Sequence, residues 1–320
     1  MKKRILAVFL ALCLLLLTGC AEHTTSGGPY KMYLIAKSTT TEFWKSVFAG
    51  ANAAKSEYNV DLTVLGPETE EDYEMQNRYI RQAVADGADA IVFSAISYTQ
   101  NAQAIDEAAA AGVKVVVIDS DVHSDGVVAR IGTDNVEAGS MSAKAALDTT
   151  AETIVVGIVN CDVETRNGQE RERGFRAALA GDSRVQEIYT VNVLTDAELA
   201  KQAAKELLTE HPDINVLVGF NEPLAVGTAL AVDELGLGDQ VSEIAFDTNP
   251  ICVELLQKGA VSALIVQNPY AMGYLGVEKA WQSLQGQRFE ADKLIDTATS
   301  IITRETMFTT ESQKAVFSFG

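Results

Sequence analysis

Carboxylates, amides and hydroxyls recur where apolar runs of the chain stop. Ser38 to Thr41 follow Met32 to Ala36, Ser94 follows Ala90 to Phe93, and Asp119-Ser120-Asp121 follow Lys114 to Ile118. Asn160, Asn221-Glu222, Asp247-Thr248-Asn249 and Gln267-Asn268 close later runs in the same way. Such groups can make paired hydrogen bonds to a polyhydroxylated molecule, because each hydroxyl both donates and accepts. They are also the residues that turns favour, and composition alone leaves both readings standing. Beside the first cluster, Phe43 and Trp44 follow the stretch STTTE. A flat aromatic there can serve as a face for the C–H side of a ring, with its neighbour packed beneath the following helix.

The elements that must hold these residues alternate. Strand candidates are Met32 to Ala36, Leu62 to Leu65, Ala90 to Phe93, Lys114 to Ile118, Ile154 to Val159, Glu187 to Val191, Val216 to Phe220, Ile244 to Phe246 and Ala263 to Val266. Between them lie longer Ala-rich stretches with helical periodicity, such as Glu71 to Asp86, Asn101 to Ala111, Ala197 to Glu210 and Leu224 to Leu235. Near-continuous apolar strands alternating with helices predict an α/β protein with doubly wound parallel sheets. Nine or ten strands divide into two sheets of about five, and 320 residues suffice for two lobes. In open α/β sheets ligands sit outside the carboxyl ends of the strands, where the polar residues fall.

Composition removes several function classes. The net charge of -19 disfavours contact with a phosphate backbone, so no nucleic-acid partner is expected. No phosphate-binding G-x-x-x-x-G-K-[ST] loop occurs, and Gly236-Leu237-Gly238 follows a helix rather than a strand, so no nucleotide cofactor is expected. The histidines are His23, His123 and His211, without H-E-x-x-H or Cys-x-x-Cys spacing, so no metal site is expected. No G-x-S-x-G elbow appears, and nothing in the sequence supports an enzyme. The run from Glu68 to Asp72 reads as a solvated acidic face.

The amino terminus reads as an export signal. Lys2, Lys3 and Arg4 precede an apolar run from Ile5 to Leu17, too short to span a bilayer. Leu17-Thr18-Gly19-Cys20 resembles a bacterial lipobox, in which cleavage precedes a cysteine that carries lipid. The expected product is anchored through Cys20, with Ala21 to Pro29 as a polar spacer. Of the remaining cysteines, Cys161 and Cys252 are read as unpaired.

Six segments match one family in order. They are the turn T-T-T-E-F-W ending at Trp44, Val116-Val117-Ile118-Asp119, Arg171-Glu172-Arg173-Gly174-Phe175, Asn221 to Gly227, Ala245-Phe246-Asp247 and Val266-Gln267-Asn268-Pro269. From about Tyr30 to about Thr303 the chain thereby resembles bacterial solute-binding proteins of the ribose-binding type, the extracytoplasmic receptors of ABC sugar importers. LacI-type repressors share the two-lobed fold, but an export signal stands where they would have a DNA-binding helix-turn-helix. The resemblance implies lobes hinged by three crossings, near Thr133-Asp134, Gln267-Asn268 and Thr297 to Ser300. One lobe comprises 30–133 with 268–299 and the other 134–267 with 300–320, after a signal peptide of 1–19 and a lipidated linker of 20–29. It places Lys37, Thr41, Phe43, Trp44, Ser94 and Asp119 on one side of a ligand, and Arg171, Thr195, Asn221, Asp247 and Gln267 on the other.

The expected function is capture of a sugar or sugar-like ligand for an ABC permease by a monomeric, lipid-anchored receptor. The alternative is a sensor that presents its closed form to a membrane histidine kinase or chemoreceptor. The chain departs from the family at Lys37, Thr41, Glu42, Ser120 and Thr195. Lys37 is open to two readings: it addresses an anionic or carbonyl oxygen of the ligand, or it pairs with Glu42 or Asp119.

Overall fold

A computed structural model describes residues 28–161 and 165–316. Two six-stranded sheets form, one in each lobe. The first contains β1 (Lys31–Ile35), β2 (Asp61–Leu65), β3 (Ala90–Phe93), β4 (Lys114–Ile118), β5 (Val127–Gly132) and β11 (Leu294–Asp296), in the order β11-β5-β4-β3-β1-β2 and parallel throughout. The second contains β6 (Ile154–Asn160), β7 (Val185–Asn192), β8 (Val216–Gly219), β9 (Ser242–Phe246), β10 (Ala263–Val266) and β12 (Ser300–Thr303), in the order β12-β10-β9-β8-β6-β7. Only β12, among these, runs antiparallel to its neighbour. The two orders are the same topology used twice. In each, the first strand of the lobe lies between the second and the third, which opens a crevice at its carboxyl end.

Among the described residues twelve strands replace the nine or ten expected. The additions are β5, β11 and β12. β5 reads VVARIG and alternates in burial, while β11 and β12 have three and four residues, so no apolar run marks them. The central strands β3, β8 and β10 are buried at every position, as helices on both faces require.

Helices α1 (Glu42–Glu57), α2 (Tyr73–Ala85) and α3 (Ala102–Ala110) cover the first sheet together with α9 (Pro269–Leu284). Helices α4 (Asn135–Leu147), α5 (Arg166–Leu179), α6 (Ala197–Glu210), α7 (Glu222–Leu235) and α8 (Pro250–Lys258) belong to the second lobe, with α10 (Thr310–Val316) beside β12. The chain crosses between lobes after β5, after β10 and between β11 and β12. Cys161 and Cys252 are buried, and neither is in a disulfide. The expected signal peptide and the expected lipidation site, Cys20, lie outside the described residues, among which no helix is long and apolar enough to cross a membrane.

Candidate ligand-binding cleft

Each wall of the cleft is built where a strand stops. Asp119 leaves β4 and Asp247 leaves β9 with left-handed backbone, at φ of 58° and 70°. Asp tolerates that region better than most residues, and the reversal turns each carboxylate toward the space between the lobes. Thr41 caps α1, accepting from the Trp44 amide at 3.4 Å. Asn221 caps α7 through the Leu224 amide at 3.1 Å, which leaves its side-chain NH2 for another partner.

The first-lobe wall is an ion cluster. Lys37 Nζ lies 3.1 Å from Glu70 Oε2 and 3.6 Å from Asp119 Oδ2. Trp44 Nε1 donates to Glu70 Oε1 at 2.8 Å, and Ser94 Oγ donates to Asp119 Oδ2 at 2.9 Å. Burial alone would push the Lys37 ammonium toward neutrality, but Glu70 and Asp119 outweigh it and raise the pKa above its ordinary value. Glu42 is not the partner; it faces solvent and pairs with Lys45 at 2.7 Å. Two carboxylates answer one ammonium, so Lys37 offers no uncompensated charge to an anionic ligand. Its third N–H can still donate to a neutral oxygen.

Arg171 organises the opposite wall. It is 1% exposed, and its guanidinium donates to Asn135 Oδ1 at 2.9 Å, Phe220 O at 2.7 Å and Gln267 Oε1 at 2.6 Å. Its carbon stands 4.9 Å from the centre of the Phe246 ring. Thr133 Oγ1 also donates to Gln267 Oε1, at 2.9 Å, so the Gln267 amide must point its NH2 the other way, where it donates to Asp247 Oδ1 at 2.8 Å. Burial raises the Asp247 carboxyl to about 7, against the opposing pull of Arg171 and Gln267. Near neutral pH this group can therefore either donate or accept.

Among the residues expected at the ligand, Lys37, Thr41, Phe43, Trp44, Asp119, Arg171, Asn221, Asp247 and Gln267 line one chamber. Trp44 is wholly buried, and Phe43 meets it edge to face at 5.2 Å. Two expected residues are not on the wall. Ser94 is buried behind Asp119 and holds it, and Thr195 gives only its backbone N–H, to Glu71 Oε1 at 2.8 Å. Sequence reasoning missed Glu70, Asn167 and Glu222 as wall residues. Glu70 and Glu71 lie in the acidic run taken for a solvated face, and Glu222 was visible as a strand-end residue beside Asn221. No local signal marks Asn167.

Several of these groups join the lobes. Asn167 Nδ2 donates to Asp119 Oδ1 at 3.0 Å. The Glu222 carboxylate accepts from the amides of Glu42 and Phe43 at 3.2 and 2.7 Å, at the positive end of α1, and from Asn249 Nδ2 at 2.7 Å. Arg166 stacks over Tyr98 at 4.9 Å. The space left between these walls has about 20 Å³, room for about one water, so a ring can enter only if the walls separate.

Comparison with known proteins agrees with this architecture. Residues 32–288 match the family model described as periplasmic binding protein domain. The chain belongs to that family. Within it, the D-ribose/D-allose-binding protein of Pseudomonas aeruginosa is 26% identical over 94% of this chain and 98% of its own length. The ribose import binding protein of Bacillus subtilis is 25% identical over 90% of this chain and 95% of its own. Among solved structures, a carbohydrate transporter solute-binding protein from Agrobacterium radiobacter in complex with D-arabinose superposes with a TM-score of 0.87 at 27% identity, covering 91% of this chain and 100% of the other. A second, from Agrobacterium vitis with bound D-fucose, gives 0.85 at 26% identity over 89% and 99% of the two chains. This periplasmic binding protein thus has the two-lobed, type I fold of ABC sugar solute-binding proteins, and it is not an enzyme.

Proposed function

We propose that the protein captures a neutral sugar between its lobes outside the cytoplasm and delivers it to an ABC permease. The observation that carries this reading is the convergence of strand-end groups from both lobes on one chamber, with Asp119 and Lys37 facing Asp247, Asn221 and Arg171. Buried donors and acceptors of this kind suit hydroxyls, and one left unpaired costs about 1 to 3 kcal/mol, which is how such a wall rejects the wrong epimer. The sugars bound by the relatives support the class of ligand. The notion of an anionic ligand loses its motive, because Glu70 and Asp119 neutralise Lys37.

The lobes are taken as 30–133 with 268–299 and 134–267 with 300–320, in a monomer tethered through lipid on Cys20 after loss of residues 1–19. Calorimetry and thermal shift against a panel of pentoses, hexoses and polyols test the binding, since a ligand of the folded state raises stability by mass action. Asp119→Ala and Arg171→Ala are each expected to weaken binding at least about tenfold, or about 1.4 kcal/mol. No response to any sugar or polyol would refute the reading. Cys20→Ala is expected to abolish lipid labelling and release the protein from membranes.

A further inference from the structure

Next to the chamber lies a second, larger space. It has about 430 Å³, against about 20 Å³ for the chamber, and falls within the roughly 300–1,000 Å³ usual for a small-molecule pocket. One side is the first turn of α1, with Phe43 and Ser46, and the other is α8, with Val253, Glu254 and Gln257. Phe43, Glu222, Asp247 and Gln267 line both spaces, so they share a wall. The Glu222 carboxylate in that wall is held by the Glu42 and Phe43 amides and by Asn249.

We infer that the protein accepts a sugar bearing a second neutral group, a disaccharide or glycoside, with the ring in the chamber and the substituent in this vestibule. The inference rests on the sugar reading above and narrows it. Among the described residues no lysine or arginine lines the vestibule, whereas Glu42, Glu222 and Glu254 do, so a phosphorylated or uronic substituent would find no cation on its wall. The exposed Gln257 side chain lines the vestibule, and its amide, a donor and an acceptor, suits hydroxyls. Phe43 borders both compartments and offers a ring face at the junction.

The test compares each monosaccharide that binds with its neutral glycosides, its disaccharides and its phosphate ester, by calorimetry on the wild type, Gln257→Trp and Glu254→Trp. Both positions are exposed on α8, and melting curves show whether the variants fold. The expected result is that a neutral glycoside or disaccharide binds about tenfold tighter than its parent sugar and that the phosphate ester does not bind. Either tryptophan should remove that gain while the dissociation constant of the parent sugar stays within about twofold. If parent sugars bind but glycosides and disaccharides do not, or if neither folded tryptophan variant changes glycoside affinity, the vestibule is no subsite and the sugar reading survives. If no sugar binds, that reading fails and this inference falls with it.

Discussion

Lys37 shows how a single buried charge is governed by its neighbours. Removing it leaves the Glu70 and Asp119 carboxylates unanswered in a buried site, and breaking such a pair costs about 3 to 5 kcal/mol. Lys37→Met is therefore expected to lower the urea midpoint strongly, and adding Glu70→Gln should recover part of the loss; simple additivity in the double-mutant cycle would refute the coupling. Glu243 has the opposite problem. It is wholly buried in the second lobe, its Oε1 lies 2.7 Å from Thr228 Oγ1, and its Oε2 has no partner. Burial raises its pKa from 4.5 to about 8, so between these values the folded state holds a proton that the unfolded state has lost. This group's contribution to stability must then fall as pH rises from about 4.5 to about 8 and level off above. Glu243→Gln is expected to melt higher than wild type at pH 9 and alike at pH 5, and equal melting at pH 9 would show that the burial cost is relieved elsewhere. Asp119, Asp247 and Gln267 were visible as polar ends of apolar strands, and the family resemblance assigned them to the ligand. Glu70 was not, because in a run of acidic residues nothing local says which one turns inward.

Helix contacts decide where those side chains stand. In the second lobe α4 and α5 pack closely enough that a Cβ on Gly174 would lie 2.0 Å from Val136 O, and one on Gly139 would lie 2.0 Å from Arg171 O. Gly174 is thus not a flexible position but the contact that seats Arg171, one turn earlier on the same helix. Gly174→Ala is expected to cost about 1 to 3 kcal/mol and to weaken sugar binding through the displaced guanidinium, as read by denaturation and calorimetry together. Normal affinity in a folded Gly174→Ala protein would show that Arg171 does not depend on this contact. Gly174 was visible in the segment Arg171 to Phe175, while the α4 surface that requires it was not.

Across the whole molecule, two copies of one topology face each other, and polar bonds at the cleft hold them together. Glu222 makes two of these, placing a second-lobe carboxylate on the first-lobe helix α1. Charge-assisted hydrogen bonds contribute about 1.5 to 3 kcal/mol each. Glu222→Ala is expected to weaken sugar binding about tenfold, mainly through faster dissociation in stopped-flow traces, with little change in the melting of the free protein. Because the chamber has room for about one water, binding must pass through a wider form. Small-angle scattering of the free protein is expected to show a larger radius of gyration than that of the sugar-bound protein, and more so in Glu222→Ala. A radius unchanged by saturating sugar would exclude hinge closure.

The amino-acid sequence by itself determined the α/β alternation and the placement of polar residues at strand ends, because strand periodicity is a local property, and the resemblance of six segments pointed to the two-lobed family. Strands β3, β4 and β10 fall on the residues that their apolar runs marked. Only the tertiary structure decided that Lys37 belongs to Glu70 and Asp119, that Thr195 contributes a backbone amide, and that Glu222 bridges to residues 179 and 180 positions away. Those pairings depend on the hinge, which brings together groups that nothing in local spacing relates, and it is they that set the charge and the room left for a ligand.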